Sequence, residues 1–350
     1  MIEKLVRENI KRLQPYKSAR SLYTRSPYNR GLFLDANENS FGSVVDIEGS
    51  DDLNRYPDPQ SSDLRAGLSK YLEVPRKNIF AGSGSDEIID LLIRIFVEPS
   101  EEILIVGPTY GVYSVFGETA GVSVKKIDLE DYKFNAEKVI SEVSSKTKMI
   151  FACSPNNPTG NLIPPAEIKK LCAQFNGIVV VDEAYVEFAS SPSFAKLAAK
   201  TENLVVLRTF SKVWGLAGLR VGYAIASEDI INYLDKVKLP YNLNKVSARV
   251  ALAALSQKKK MLKFKGEIIS GREKLSKEFN KLGLTVYPSE ANFLLVRFAN
   301  GNSVFKQLVE DFGIIVRNWS GNPLLRNCLR ITVGTPQQNK LLIKALSKIL

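Results

Sequence analysis

Ile178-Val179-Val180-Val181-Asp182-Glu183-Ala184-Tyr185 is a run of four β-branched residues that ends abruptly in two carboxyls and a phenol. A strand with one wet face alternates apolar and polar residues. A bare apolar run this short suits a strand covered on both faces, as in parallel sheets. The same pattern recurs at Ile103 to Val106, Met149 to Cys153, Leu204 to Leu207 and Val221 to Ile225. Between these runs lie helical patterns at Asp86 to Phe96, Tyr110 to Thr119, Ala136 to Val143 and Pro165 to Phe175, the last opened by Pro164-Pro165 as proline prefers. Strand and helix in alternation predict an α/β fold, with a mostly parallel sheet flanked by helices.

The alternation fades after about residue 230. Beyond it the pattern predicts one long helical stretch over Asp229 to Leu282, a strand at Phe293 to Phe298, a helix near Ser303 to Phe312, a strand at Leu329 to Val333 and a closing helix at Gln337 to Leu350. This reads as a smaller α+β domain. The expected division is an N-terminal arm and small-domain segment at 1–30, a large domain at 31–230 and a C-terminal small domain at 231–350. A chain of 350 residues exceeds what one core usually fills, which fits two lobes and excludes a lone small binding module.

Composition narrows the function classes. A hydrophobic content of 45% with 24% charged residues sits near the globular average, so disordered and collagen-like chains are excluded. The 48 Lys+Arg exceed the 37 Asp+Glu by 11, yet the basic residues are mostly dispersed. The densest run, Lys258-Lys259-Lys260 with Lys263 and Lys265, reads as a solvated helix face, and no nucleic-acid partner is expected. With no histidine in the chain, Ser-His-Asp, Cys-His and His-metal chemistry is excluded, and no metal site is expected. Cys153, Cys172 and Cys328 lack metal-ligand spacing and lie among apolar neighbours, as reduced thiols of a cytoplasmic enzyme would. Met1 to Leu13 reads as an amphipathic helix and not as a signal peptide, and no run of about 18 apolar residues predicts a membrane span.

The chemistry gathers where strands end. Gly82-Ser83-Gly84-Ser85-Asp86-Glu87 joins the apolar pair Ile79-Phe80 to a helix, where unpaired backbone N–H groups attract an anion. A plain Ser/Asp helix cap accounts for the same residues. Glu87 stands where a dinucleotide fingerprint needs its third glycine, and no Gly-Lys-Ser/Thr follows, so NAD and ATP lose ground. Ser154-Pro155-Asn156-Asn157-Pro158-Thr159-Gly160 follows Cys153 directly and presents two amides on a fixed turn, although turn chemistry alone can produce such a stretch. Asp182 with Tyr185 ends the most apolar run, where a carboxylate demands a positive partner, whether a protonated ring nitrogen or a structural arginine. Thr209-Phe210-Ser211-Lys212 ends the next, with Arg220 eight residues further on. A lysine near a second cation has its ammonium destabilised and can form an imine with an aldehyde cofactor, while Thr209, Ser211 and Arg220 clamp a phosphate. An imine-forming lysine, an acid, ring hydrogen bonds and a phosphate cradle are together what pyridoxal phosphate requires.

Taken together, these residues resemble those of the fold-type I pyridoxal-phosphate aminotransferases of class I/II, and within them the histidinol-phosphate aminotransferases. The resemblance runs through nearly the whole chain, from Leu13-Gln14-Pro15-Tyr16-Lys17-Ser18-Ala19-Arg20, Leu34-Asp35-Ala36-Asn37-Glu38-Asn39 and Asn54-Arg55-Tyr56-Pro57-Asp58-Pro59 through Pro108-Thr109-Tyr110-Gly111-Val112-Tyr113 to Cys328-Leu329-Arg330-Ile331-Thr332-Val333-Gly334-Thr335. It implies that Lys212 carries the cofactor and then shuttles the proton. It also implies that Asp182 keeps the pyridine nitrogen protonated, that Tyr185 and Asn157 bond the ring oxygen, and that Tyr110 stacks on the ring. Ser85, Asp86, Thr209, Ser211 and Arg220, with Tyr56 from a second subunit, would hold the phosphate, which implies a homodimer. Arg330 and Arg317 would receive substrate anions, with Tyr16, Asn37 and Glu38 near the substrate head. The reaction implied is transamination of L-histidinol phosphate with 2-oxoglutarate, giving imidazole acetol phosphate and L-glutamate in histidine biosynthesis, in the cytoplasm. Within the same fold the alternatives are an aromatic amino-acid aminotransferase and a phosphothreonine decarboxylase; outside enzymes, the alternative is a non-catalytic ligand-binding regulator. Two departures stand out: the bulky Phe210 and Val213-Trp214 around the lysine, and the loop Asn318 to Asn327.

Overall fold

The computed structural model describes residues 32–42, 44, 54 and 56–350. The expected N-terminal helix, the 1–30 segment and Tyr16 lie outside these residues.

The larger sheet has seven strands in the order β2 (Ile79–Gly82), β8 (Gly222–Ile225), β7 (Leu204–Thr209), β6 (Ile178–Asp182), β5 (Thr147–Cys153), β3 (Glu102–Gly107) and β4 (Ser123–Asp128). Pairing is parallel from β7 to β4, and only β8 runs against its neighbours. The bare apolar runs have a physical reason. Val179, Val181, Leu204 and Val206 enter one core, while Val180, Val205 and Leu207 enter a second core on the opposite face. Each of these side chains is therefore withdrawn from water, and burying a Val or Leu side chain contributes about 1.5–3 kcal/mol. The helices Gly84–Phe96, Val112–Ala120 and Pro165–Gln174 link successive strands. Strand β4, reading Ser-Val-Lys-Lys-Ile-Asp, gives no such apolar run because it is an edge strand, with Lys126 exposed and Lys125 half-buried against Glu142.

The smaller sheet orders β1 (Leu32–Leu34), β11 (Ile314–Asn318), β12 (Cys328–Thr332), β10 (Phe293–Arg297) and β9 (Thr285–Val286). Leu32–Leu34 falls within 31–230, the stretch expected to form the larger domain. It pairs instead with Ile314–Val316 of the smaller sheet, and three residues are too few to announce that partnership in sequence. The expected single helical stretch over 229–282 is three helices, Glu228–Val237, Lys245–Ser256 and Lys258–Lys281. Pro240 cannot continue the first helix, and the Asn244 side chain caps the second by accepting from the Ser247 amide. Ile231 and Leu234, just past the expected boundary at 231, bury in the core of the larger sheet. No described helix is long and apolar enough to cross a membrane.

Candidate active site

Strands β5, β6 and β7 run parallel, so their carboxyl ends emerge side by side, with Cys153 registered against Asp182 and Asp182 against Leu207. Ligands of such sheets bind just beyond those ends. A cavity of about 640 Å³ lies there, bordered by Ser85, Asp86, Tyr110, Asn157, Asp182, Tyr185, Thr209, Ser211, Lys212 and Arg220, and on the smaller domain's side by Asn37, Glu38, Arg317 and Arg330. These include every expected site residue that the structure describes except Tyr56.

Asp182 and Glu183 are neighbours with opposite fates. Asp182 faces the cavity, accepting at Oδ2 from the Tyr113 hydroxyl at 2.7 Å and at Oδ1 from the Ala184 amide at 3.0 Å. Burial lifts its carboxyl to about 6, against the pull of those two hydrogen bonds. Glu183 turns away and accepts from the Phe194 amide at 2.6 Å and from the Ser193 hydroxyl. It lies in the field of Arg208, which is buried and paired with Glu187. The need for a positive partner is thus met inside the protein for Glu183.

The Lys212 ammonium donates to the Ala36 carbonyl at 3.2 Å and stands 5.5 Å from the centre of the Tyr185 ring. Burial first, and then the Arg330 and Arg220 cations, depress it to about 8, opposed by Glu38 and Asp182. Tyr185 is buried, accepts from the Asn37 side-chain amide at 3.1 Å, and has its phenol pushed up by burial. Asn37 holds a left-handed backbone (φ 54°), tied to Thr332 through its amide and its carboxamide oxygen, both at 3.0 Å.

One end of the cavity gathers groups that could hold an anion. The helix Gly84–Phe96 presents the first-turn amides of Ser85 and Asp86, which have no helical acceptor. Thr209 and Ser211 hydroxyls meet at 2.9 Å beside them, and Arg220, at φ 52°, donates to Asp86 Oδ2 at 3.0 Å. Gly222 allows this closeness, because a Cβ there would lie 2.3 Å from the Ser85 nitrogen. At the other end Arg317 and Arg330 stand in register on β11 and β12. Arg330 is buried and donates to Asn157 Oδ1 and the Asp35 carbonyl. Tyr56 is 80% exposed, stacks on Tyr241 with ring centres 4.5 Å apart, and does not border the cavity.

Both departures noted in the sequence find a place. Phe210, Val213 and Trp214 are fully buried in the core and leave the cavity unobstructed, whereas the loop after β11 brings Trp319 to its wall. The sequence reading gave no role to Trp319, to the Asp35 and Ala36 carbonyls or to Tyr113. Only Tyr113 carried a signal, an aromatic three residues after Tyr110 in the same short stretch.

A family model described as aminotransferase class I and II matches residues 32–346. The chain belongs to this aminotransferase family. It is 43% identical to the histidinol-phosphate aminotransferase of Cytophaga hutchinsonii over 99% of this chain and 98% of the relative. It is 44% identical to that of Caldanaerobacter subterraneus subsp. tengcongensis over the full length of both. Its fold matches the histidinol-phosphate aminotransferase of Sinorhizobium meliloti, solved in complex with pyridoxal-5'-phosphate, with a TM-score of 0.90 at 24% identity, covering 98% of this chain and 97% of the other. The aminotransferase cavity has the parts that pyridoxal phosphate requires: a helix start packed so closely on Gly222 that a Cβ there would meet the Ser85 nitrogen, a lysine with a depressed ammonium, a buried acid and a phenol.

Proposed function

We propose that the chain transaminates L-histidinol phosphate with 2-oxoglutarate, yielding imidazole acetol phosphate and L-glutamate, with pyridoxal phosphate as cofactor. The observation that carries this reading is the polarity of one cavity: Lys212 and Asp182 between an anion cradle and a pair of arginines. The bound cofactor supplies an electron sink for the pair of electrons left at the substrate's Cα.

The chain's residues do the rest. The cradle of Ser85 and Asp86 amides, Thr209, Ser211 and Arg220 holds the cofactor phosphate. Asp182 keeps the ring nitrogen protonated, and Tyr185 and Asn157 hydrogen-bond the ring oxygen. Tyr110 covers one face of the ring. Lys212 carries the cofactor in the resting enzyme, and as a free amine it moves the proton at Cα, a task its depressed ammonium suits near neutral pH. Arg330 and Arg317 receive the carboxylates of glutamate and the phosphate of histidinol phosphate in turn, because a guanidinium fork accepts either anion in two hydrogen bonds. Asn37 and Glu38 border the reacting end, with Tyr16 assigned beside them.

Tyr56 serves the cofactor phosphate of a second subunit in a homodimer. Supporting this, Tyr56 is 80% exposed and stacks on Tyr241, itself 46% exposed, so the ring pair is presented to solvent. A cytoplasmic setting fits three free cysteines. Half-reaction spectroscopy tests the substrate: the cofactor absorbance should collapse on adding histidinol phosphate and respond poorly to phenylalanine. A stronger response to phenylalanine would make this an aromatic amino-acid aminotransferase and overturn the proposal.

A further inference from the structure

Asp182 is a buried carboxylate with a demanding task. It must stay ionised in a desolvated place and aim its free lone pairs at one point of the cavity. Of its two intramolecular donors, the Ala184 amide comes from its own turn, two residues on. The other comes from across the fold. Tyr113, in the helix Val112–Ala120 that follows β3, donates its hydroxyl to Oδ2 at 2.7 Å. No other side chain in the described residues donates to this carboxylate.

We propose that Tyr113 is a positioning residue for Asp182: its hydroxyl fixes the plane of the carboxylate and favours its ionised form, so that the remaining lone pairs stay directed at the cofactor's ring nitrogen. The inference rests on the cofactor reading above and is independent of the substrate.

The surroundings of Tyr113 suit a fixed donor. The residue is fully buried, and its ring lies nearly flat against Phe151, centres 4.9 Å apart and 12° between planes. Its edge meets Tyr110 at 5.6 Å and 87°. Both neighbours restrict rotation of the ring, which holds the hydroxyl on Asp182 at 2.7 Å with the buried Cys153 thiol beside it. Burial, and next the charge of Asp182, hold the phenol well above its ordinary range, so it keeps its proton at any working pH and donates throughout. The Tyr110 contact adds a second consequence. The side chain that positions the acid also braces, edge to face, the Tyr110 ring assigned to cover the cofactor's face. A hydrogen bond to a charged group stabilises it by about 1.5–3 kcal/mol, roughly a tenfold to hundredfold effect on an equilibrium.

The test uses Tyr113→Phe in the full-length protein, which removes one oxygen and keeps the ring packing. Apo-protein is reconstituted with pyridoxal phosphate across a pH series, and the dissociation constant is read from cofactor absorbance. With the donor gone, Asp182 protonates more readily, so the acid-side loss of affinity should begin at higher pH than in the wild type, and affinity near neutral pH should fall about tenfold or more. In an Asp182→Asn background the same substitution should add little, since Tyr113 then has no carboxylate to position. An unmoved acid limb, or an equal loss of affinity in both backgrounds, would show a packing role only and overturn the proposal. If Tyr113→Phe does not fold, 3-fluorotyrosine placed at position 113, a stronger donor of nearly the same shape, should move the acid limb to lower pH, and no movement overturns it. Failure of the wild type to bind pyridoxal phosphate would count against the cofactor reading itself, a separate result.

Discussion

Gly222→Ala probes the anion cradle with one methyl group. Gly222 opens β8 between Gly82 of β2 and Thr209 of β7, against the start of the helix Gly84–Phe96. An alanine Cβ would lie 2.3 Å from the Ser85 nitrogen and 2.4 Å from the Gly84 carbonyl carbon. Ordinary carbon contacts begin near 3.4 Å, so something must move by about 1 Å, and both obstacles are backbone. Overpacking of this kind costs about 1–3 kcal/mol of stability. The larger effect is local. An amide displaced by about 1 Å leaves the 2.7–3.2 Å range of an N–H···O bond. Losing one such bond to a phosphate should weaken binding about tenfold to hundredfold. The assay compares pyridoxal phosphate with pyridoxal, which lacks the phosphate, on folded wild-type and variant apo-protein. The variant should lose affinity for the phosphorylated compound and change little for pyridoxal. An unchanged ratio between the two would refute the cradle.

Three further outcomes follow from other parts of the structure. Lys212 has its ammonium depressed to about 8 by burial and by Arg330, so its amine in apo-protein should reach half-maximal modification by an aldehyde and reductant near that pH. Arg330→Gln should move the midpoint upward, because a cation that disfavours the ammonium is gone, and an unmoved midpoint would contradict the assignment. Glu187→Gln removes the carboxylate paired with the buried Arg208 guanidinium, leaving only the field of Glu183, and should cost about 3–5 kcal/mol in urea unfolding, whereas a loss under about 1 kcal/mol would mean the pair behaves as a surface one. If Tyr56 serves the partner's site, subunits carrying Tyr56→Ala mixed with subunits carrying Lys212→Ala should regain activity, since mixed dimers rebuild one intact site; a mixture no more active than its parts would contradict that arrangement.

The sequence was most legible where burial is two-sided. Runs such as Val179 to Val181 have no polar residue to tolerate, because each side chain enters one core or the other. For that reason they marked both the sheet and its carboxyl ends. Candidate site residues at those ends, Asn157, Asp182 and Lys212, could be picked out by position, and all three border the cavity. Strands at edges or of two or three residues, β4, β9 and β1, carried no periodic signal, because their partners and not their composition make them strands. What escaped in the site was of the same kind. Tyr113 sits 69 residues from Asp182, and the Ala36 carbonyl 176 residues from Lys212, contacts that exist only once β3, β6 and the smaller sheet are assembled. Glu183 shows the reverse limit. It adjoins Asp182 in sequence, yet the two side chains leave the chain on opposite sides and only one reaches the cavity.

Reduction of the holoenzyme with borohydride, followed by proteolysis and mass spectrometry, tests the central claim most directly. The cofactor should be found on the peptide that contains Lys212 and on no other lysine, and Asp182→Asn should leave the attachment site unchanged while weakening retention of the cofactor. A label spread over surface lysines such as Lys258 to Lys260, or none at all, would contradict the account.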